Sequence, residues 1–187
     1  MDRFRKYFEK FSIIPQDEWH LVEELLHVRT LQKNEILVSE GQHYYKEIYI
    51  EKGILRGYYL TPKQGDVNVV FFMDNDVTSP AFTRNANGKH LINYQALEST
   101  IIYEFDAMEF SNLIRTKNWV NKFAYAISER ELKRISNREK SLLTRTAEER
   151  YFDFRNEYPG LENRISQIQI ASYLGITPVS LSRIRAK

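Results

Sequence analysis

One stretch near the end of the sequence carries side chains whose types and spacing could bind a nucleic acid. These hydroxyl-bearing, apolar and cationic residues are Thr177, Val179, Ser180, Ser182, Arg183 and Arg185. An arginine can donate two hydrogen bonds to a guanine edge or pair with a phosphate, and a hydroxyl can bond to either partner. From residue 164 to the end, the sequence has four basic residues and no acidic one. The stretch is therefore predicted to bind DNA, with Arg183 as the candidate for a guanine edge or a phosphate.

Two short helices are predicted to position these side chains. Ile170 and Leu174 share one face of the first helix, because residues three or four positions apart lie on the same side of a helix. Leu181 and Ile184 share one face of the second helix in the same way. Gly175 stands between the helices, where it can take the positive φ that ends the first one. The pattern predicts a helix-turn-helix.

The start of the second helix is marked by two residues. Thr177 is a good N-cap, and Pro178 follows at the first helical position, where its missing N–H breaks no helical bond. Small, glycine and apolar residues at these spacings also occur in helical hairpins that only pack. The basic composition of the segment favours DNA binding over that alternative.

The same residues resemble the recognition motif of a known family. The run from Ile170 to Pro178, continued from Leu181 to Arg185, is similar to that motif in the Crp/Fnr superfamily of bacterial transcription regulators, in the subgroup that reads I-A-x-Y-L-G-I-T-P-E-T-L-S-R-I-R. Val179 stands where this subgroup usually has Glu, whose carboxylate would accept a hydrogen bond from a cytosine amino group. The resemblance implies a homodimer that binds a pseudo-palindromic site in double-stranded DNA and contacts RNA polymerase.

Between residues 27 and 106 the apolar pattern has a period of two, which is typical of strands. The β-rich runs occupy residues 27–31, 35–38, 47–50, 54–60, 67–72 and 91–106. Turn signals such as Lys52-Gly53 and Pro62-Lys63-Gln64-Gly65 separate them, and residues 73–89 read as an irregular segment. Regular strand spacing with glycine turns predicts a closed antiparallel barrel or roll.

Parts of this region resemble the β-roll of the same superfamily, namely residues 33–41, 48–53 and 96–100. The resemblance implies an α+β fold. It consists of an N-terminal antiparallel β-roll of the double-stranded β-helix or jelly-roll type with flanking helices, a long dimerisation helix and a C-terminal helix-turn-helix domain. The expected boundaries are 1–117 for a cyclic-nucleotide-binding-like sensor domain, 118–143 for the dimerisation and hinge helix, and 144–187 for the DNA-binding domain.

Helical spacing of apolar residues predicts the remaining elements. The first 27 residues read as two short covering helices, and further helices are predicted at residues 107–116, 118–143 and 146–158. The helix at 118–143 has apolar residues, among them Ile127, on roughly one side. Its charged second half is either a solvated face or the salt-bridge edge of a coiled coil. We expect a dimer through this helix, with Ile127 in the interface.

The composition excludes several classes of function. With no cysteine, the chain has no disulfide, no thiolate nucleophile and no cysteine-ligated metal. The four histidines are scattered without a chelating pair, so no catalytic residue, metal or cofactor is predicted. No stretch approaches the roughly 20 apolar residues of a membrane span, and the first residues do not resemble a signal peptide. We expect a soluble, cytoplasmic protein without membrane contact.

Charge divides the sequence into two unlike parts. Residues 1–106 hold 12 basic and 16 acidic residues, whereas residues 107–187 hold 15 basic and 9 acidic ones. This asymmetry predicts an acidic sensing or structural part and a part that faces nucleic acid.

Residues 72–85 indicate which effector the predicted sensor domain could bind. In the superfamily, a Gly-Glu pair and an Arg-Ser or Arg-Thr pair hold a cyclic nucleotide, and this segment contains neither pair. Ordinary cyclic-AMP recognition is therefore not expected. Arg84 is the one basic residue between Lys63 and Lys89 and is the candidate for holding another anionic effector. The alternative is a solvated loop arginine.

Three functions compete at this point. A dimeric transcription regulator, whose front domain biases the geometry of two DNA-binding helices, accounts for both parts of the sequence. A β-roll enzyme of the cupin type would need a metal cluster of histidines and carboxylates, which the sequence lacks. A ligand-binding module that has lost DNA-binding activity stays open because of Val179. It also stays open because the sequence ends two residues after Arg185, where the superfamily often has a β wing.

Overall fold

Eight strands form two four-stranded antiparallel sheets in the computed structural model, which describes residues 2–62, 65–78 and 83–186. The strands are β1 (His27–Leu31), β2 (Ile36–Val38), β3 (Lys46–Lys52), β4 (Leu55–Thr61), β5 (Gly65–Phe72), β6 (Asp76–Val77), β7 (Asn93–Ala96) and β8 (Thr100–Asp106). The first sheet has the order β1-β8-β3-β6 and the second the order β2-β7-β4-β5. Only β4 and β5 are neighbours both in sequence and in a sheet, so the chain changes sheet at almost every connection.

The helices complete an α+β architecture, as predicted. They are α1 (Asp2–Glu9), α2 (His20–Glu23), α3 (Ala107–Thr116), α4 (Asn118–Thr144), α5 (Ala147–Glu157), α6 (Gln167–Leu174) and α7 (Pro178–Arg185), with a 3-10 turn at Leu161–Asn163. The second covering helix is shorter than predicted. Asp17 takes a positive φ of 63°, which a helix cannot include, so α2 begins only after this residue and runs from His20 to Glu23.

Two further differences concern the region predicted as strands and an irregular segment. The run at residues 91–106 divides into β7 and β8, and β6 lies where an irregular segment was expected. A two-residue strand is too short to produce a detectable period in the sequence. Residues 63–64 of the predicted turn, residues 79–82 of the segment compared with the nucleotide cassette, and both terminal residues lie outside the described residues.

The two sheets pack against each other over an apolar core. Alternate residues of the strands supply it, including Leu31, Ile48, Ile50, Leu55, Phe72, Tyr94 and Ile102. Burying an aliphatic or aromatic side chain of this size contributes roughly 1.5–3 kcal/mol relative to leaving it exposed. All of the buried apolar members of this core come from the sheet region.

Helices α1, α3 and the first half of α4 cover the outer face of the first sheet. Their aromatic side chains pack closely, with Phe8 stacked on Phe123 at 3.7 Å and Phe4 on Tyr49 at 4.4 Å between ring centroids. Ile127 belongs to this cluster and is only 4% exposed. The expectation that Ile127 lies in a dimer interface is therefore wrong, because the side chain is already buried within its own chain.

The last helices cover the outer face of the second sheet and form a third core. Phe71 of β5 contacts the rings of Phe154, Tyr158 and Tyr173, with centroid distances of 5.5 to 6.3 Å. Phe71 and its neighbour Phe72 are both buried although they point to opposite faces of the sheet, because both faces are covered. The C-terminal segment is thus attached to the sheets through a shared core.

In the described part of the chain, no helix is long and apolar enough to cross a membrane. Within the same residues, no group of three or more histidine, aspartate or glutamate side chains could hold a metal ion.

Candidate nucleic-acid interface

Helix α7 begins where the sequence predicted. The hydroxyl of Thr177 accepts a hydrogen bond from the backbone N–H of Ser180 at 3.1 Å, and Pro178 follows in the first turn. An N-cap of this kind contributes about 1 kcal/mol. The start of α7, and with it the direction in which each later side chain points, is therefore fixed locally.

Helix α6 and the turn after it are fixed in a similar way. The Ser166 hydroxyl accepts from the backbone N–H of Gln169, and Gly175 ends the helix with a φ of 66° and a ψ of 37°. This left-handed conformation is one that a residue with a Cβ adopts reluctantly. Arg150 donates from Nε to the carbonyl of Leu174 at 2.9 Å, which satisfies one of the last carbonyls of α6.

The inner side of the α6 and α7 pair is apolar. Ile170 and Leu181 are completely buried, and Ala171 is nearly so, which agrees with a close approach of the two helices. Ile176 and Ile184 pack against the same cluster from its edge. By the usual cost of large-to-small core changes, each aliphatic anchor is worth roughly 2–5 kcal/mol.

The outer side of α7 brings the predicted site residues together. Thr177, Ser182, Arg183 and Arg185 are exposed. Val179 is 62% exposed. Neither guanidinium of Arg183 or Arg185 makes a hydrogen bond or ion pair with another described residue. The α7 face, meaning these five residues together with Ser180, is thus a small surface with two unpaired cations.

Ser180 is the least available member of the α7 face. It is half-buried, and its hydroxyl lies 2.9 Å from the hydroxyl of Thr177, with which it shares a hydrogen bond. Its backbone N–H is also occupied by the cap. Ser180 therefore contributes to the geometry of the helix start at least as much as to the surface.

Helix α5 packs against the α6 and α7 pair. Thr146 and Glu149 form a reciprocal capping box at its start. Tyr151 and Phe154 of α5, and Tyr158 directly after it, project into the third core. Tyr173 of α6 donates its hydroxyl to Glu157 at 3.0 Å, and burial raises the pKa of that carboxyl.

A buried polar network attaches α6 to the second sheet. Arg56 of β4 donates to Asn68 at 3.0 Å, to Gln169 of α6 at 3.1 Å and to Asp66 at 2.5 Å. The guanidinium also lies over the ring of Tyr58, 3.9 Å from its centroid. A cation enclosed this completely is stable only when its donors are matched, so Arg56 holds its partners in fixed positions.

Asn68 of β5 is the centre of this network. Its side-chain amide donates to the backbone carbonyl of Gln169 at 2.9 Å, and its backbone N–H donates to the hydroxyl of Ser172 at 3.0 Å. The Ser172 hydroxyl in turn donates to the carbonyl of Asp66 at 2.7 Å. Helix α6 is therefore bonded to β5 along a full turn of its length.

Two arginines outside the network add to the attachment. Arg138 of α4 donates to the carbonyls of Asn68 and Tyr173, which joins three elements at one point. Arg164 pairs with Asp74 at 2.7 Å and with Glu98 at 2.5 Å. These carboxylates hold the pKa of the Arg164 guanidinium above its ordinary value.

The candidate for an anionic effector, Arg84, contacts β3 and the segment before it. Its side chain is 13% exposed and pairs with Glu47 at 2.6 Å. Another nitrogen of the guanidinium donates to the carbonyls of Tyr44 and Lys46. The alternative of a solvated loop arginine is therefore wrong, and the side chain is held by partners of its own chain.

The residues that attach α6 to the sheet were not identified from the sequence. A signal was present, because Arg56 interrupts an otherwise apolar run in a predicted strand, where a charge requires a buried partner. Two of the partners, Asp66 and Asn68, lie 10 and 12 residues away on the paired strand, whereas Gln169 lies 113 residues away. Gln169 could not be identified from local spacing.

No protein-family model and no curated protein matches the sequence. Solved structures do match the structure. FixK2 from Bradyrhizobium japonicum aligns with 20% identity and a TM-score of 0.74, over 86% of this chain and 83% of that chain. A CooA mutant from Carboxydothermus hydrogenoformans aligns with 18% identity and a TM-score of 0.73, over 91% of this chain and 79% of that chain. A protein from Eubacterium rectale, described as a transcriptional regulator of the Crp/Fnr family, aligns with 16% identity and a TM-score of 0.72, over 96% of this chain and 85% of that chain.

Proposed function

We propose that this chain, which has the Crp/Fnr-type fold, is a DNA-binding transcription regulator and not an enzyme. The observation that carries the proposal is the α7 face. Arg183 and Arg185 are exposed and unpaired among the described residues, while Leu181 anchors α7 in a core. Such a helix can enter a major groove with its cations toward the bases and phosphates.

We infer that α6 and α7 act as a helix-turn-helix, with α7 as the recognition helix. The cap at Thr177, the glycine turn and the buried Ala171 support this reading. The residues proposed to contact DNA are Thr177, Val179, Ser180, Ser182, Arg183 and Arg185. Because Val179 carries no acceptor, it would meet an apolar group such as a thymine methyl instead of a cytosine amino group.

We also infer that the two sheets form a jelly roll. In support, consecutive strands alternate between the sheets except at β4 and β5. The domain boundaries that follow are 1–117 for the sensor domain, 118–143 for the hinge and dimerisation helix, and 144–187 for the DNA-binding domain.

Dimerisation is proposed through the solvent side of α4. Four apolar side chains on this side are exposed, namely Tyr125, Leu132, Ile135 and Leu142. When two polar positions between them are included, the positions recur at alternating spacings of three and four residues. That is the spacing of a coiled-coil seam. A dimer would present two α7 helices to half-sites about one DNA turn, or ~34 Å, apart.

The effector is proposed not to be cyclic AMP, because residues 72–85 contain neither half of the usual phosphate cassette. RNA polymerase as a partner, and action in the cytoplasm, remain predictions that follow from the proposed role in transcription.

The test begins by selecting a DNA duplex from a random library with the full chain and measuring its affinity by fluorescence anisotropy. Replacing both Arg183 and Arg185 by alanine should lower the affinity by about tenfold or more. Arg5→Ala is the control, because Arg5 is an exposed arginine on α1, far from α7 in the sequence. If the double variant binds as tightly as the control while the fold persists by circular dichroism, α7 is not the DNA-binding surface. The alternative, a ligand-binding module without DNA-binding activity, would then be preferred.

A further inference from the structure

A cavity of about 460 Å³ lies outside the two sheets, between the outer face of the first sheet, α3 and α4. Its walls are mainly apolar and include Phe105, Phe110, Ile114, Phe123 and Ile127. This volume is within the range of small-molecule sites, which are typically apolar with a few polar groups that orient the ligand. The cavity is separate from the space between the sheets, which the apolar core described above fills.

One polar group lining the cavity is a buried carboxylate. Glu47 of β3 is 4% exposed, and its Oε1 accepts a hydrogen bond from Nη2 of Arg84 at 2.6 Å. Its Oε2 is buried and has no hydrogen-bond partner among the described residues. Nearly all buried polar atoms in proteins have a partner, and leaving one without costs free energy. The oxygen therefore marks a place where a donor is missing.

The charges around Glu47 restrict which donor could fill that place. Arg84 balances one negative charge and uses its other donated bonds on the carbonyls of Tyr44 and Lys46. Asp106 is close enough to raise the pKa of Glu47 further, in addition to the larger effect of burial. An anionic ligand would add a negative charge beside two carboxylates in a poorly hydrated site, which is unfavourable.

We propose that this cavity binds a small, mostly apolar molecule without negative charge, which donates an N–H or O–H hydrogen bond to Oε2 of Glu47. The apolar body would contact the phenylalanine and isoleucine walls. The donor would satisfy the buried Oε2 of Glu47, which has no partner among the described residues. The proposal stands independently of DNA binding by α7.

The test compares three probes that share one apolar body. They are 2-phenylethanol, which has a donor, its methyl ether, which has none, and phenylacetate, which is ionised at pH 8. The full chain, labelled at isoleucine methyl groups, is titrated with each probe at pH 8 and followed by NMR. We expect 2-phenylethanol to shift the methyl signals of Ile114 and Ile127 but not that of exposed Ile135. The ether and phenylacetate should bind at least about tenfold more weakly.

Two variants of α4 locate the site. Ala124 lines the cavity, so Ala124→Phe should fill it and abolish the shifts, whereas Ala126→Phe on the same helix should leave them unchanged. The proposal is overturned if no probe shifts Ile114 and Ile127, or if phenylacetate or the ether binds as well as the alcohol. It is also overturned if binding survives Ala124→Phe or is lost equally in both variants. Circular dichroism shows whether each variant folds. If one variant does not fold, the wild-type titrations with the three probes still test the proposal.

Discussion

Arg183 and Arg185 lie two positions apart on α7 but face different directions. With Leu181 pointing into the core, Arg183 is rotated by roughly 200° around the helix axis and Arg185 by roughly 40°. Val179 is close to Arg183 on the outermost side, whereas Arg185 projects from the flank. The two arginines should therefore contact different parts of a DNA duplex.

The two alanine variants are predicted to weaken DNA binding in different ways. Arg183→Ala should cost about 1–3 kcal/mol in binding to the selected duplex and relax specificity at one position in each half-site. Arg185→Ala should weaken binding to all sequences alike and reduce the salt dependence by about one phosphate contact. Affinities for a set of single-base variants of the duplex, measured at three salt concentrations, separate these effects. A uniform loss in Arg183→Ala would assign this residue to the phosphates instead.

Glu47 provides a second test at the scale of single residues. Burial raises its pKa to about 7 from an ordinary value of 4.5, against the opposing charge of Arg84 and with a further increase from Asp106. Between these two pH values the folded chain keeps a proton that the unfolded chain has released. Stability from this group is therefore fully present below about pH 4.5 and is lost as the pH rises through about 7.

In Glu47→Gln this pH dependence should disappear. The difference in free energy of unfolding, wild type minus variant, is expected to fall by up to about 3 kcal/mol between about pH 4.5 and 7.5. Urea denaturation at a series of pH values measures it, and taking the difference removes the contribution of the other carboxyls. A difference that stays constant or rises with pH would contradict the raised pKa.

At the scale of elements, α4 has two sides with different roles. Its first half buries Phe123 and Ile127 against α1 and the first sheet. Its solvent side carries Leu132 and Ile135, and Ile135 is 45% exposed. The sequence alone showed only that apolar residues recur along the helix, so it could not separate those that pack within the chain from those available to a partner.

Replacing Ile127 and replacing Ile135 should therefore have different consequences. Ile135→Glu is expected to shift the chain from dimer toward monomer in analytical ultracentrifugation at micromolar concentration, with little change in circular dichroism, because it places a charge in the proposed seam. Ile127→Ala should instead reduce the free energy of unfolding by about 2–5 kcal/mol without acting on the dimer interface directly. If Ile135→Glu leaves the mass at twice 22.3 kDa, dimerisation uses another surface.

The helices and strands show which parts of the fold can be predicted from local sequence patterns. Most of the strands, α3, α4, α5 and the cap at Thr177 were predictable, because each depends on periodicity or on residues a few positions apart, whereas the two-residue β6 was not. Helix α2 was overestimated because a positive φ at Asp17 is not visible in an amphipathic pattern. The contacts of Arg56 with Gln169 and of Glu47 with Arg84 could not be predicted, because these partners lie 113 and 37 residues apart in the sequence and are brought close only by the folding of the chain.

At the scale of the whole molecule, the proposed DNA-binding segment does not stand apart from the sheets. Ile54, Phe71 and Leu97 from the sheet region share one core with residues of α5, α6 and α7. The polar network around Asn68 lies beside this core, and Asn68 is completely buried. The direction in which α7 points is therefore set by β5 through α6, in addition to any effect of α4.

The last prediction follows from this arrangement and concerns Asn68→Ala. The substitution removes the amide that bonds to Gln169 and leaves Arg56 with one acceptor fewer, so it should lower the free energy of unfolding by about 2–4 kcal/mol. Because the lost bonds join α6 to β5, backbone amides of residues 167–174 should exchange with deuterium faster, while those of β3 and β8 keep their protection. Asn121→Ala, at an exposed position on α4, is the matched control and should change neither measurement. Equal acceleration in β3 and α6 would mean that the C-terminal segment opens only when the whole chain unfolds. In that case β5 could not orient α7 separately from the rest of the fold.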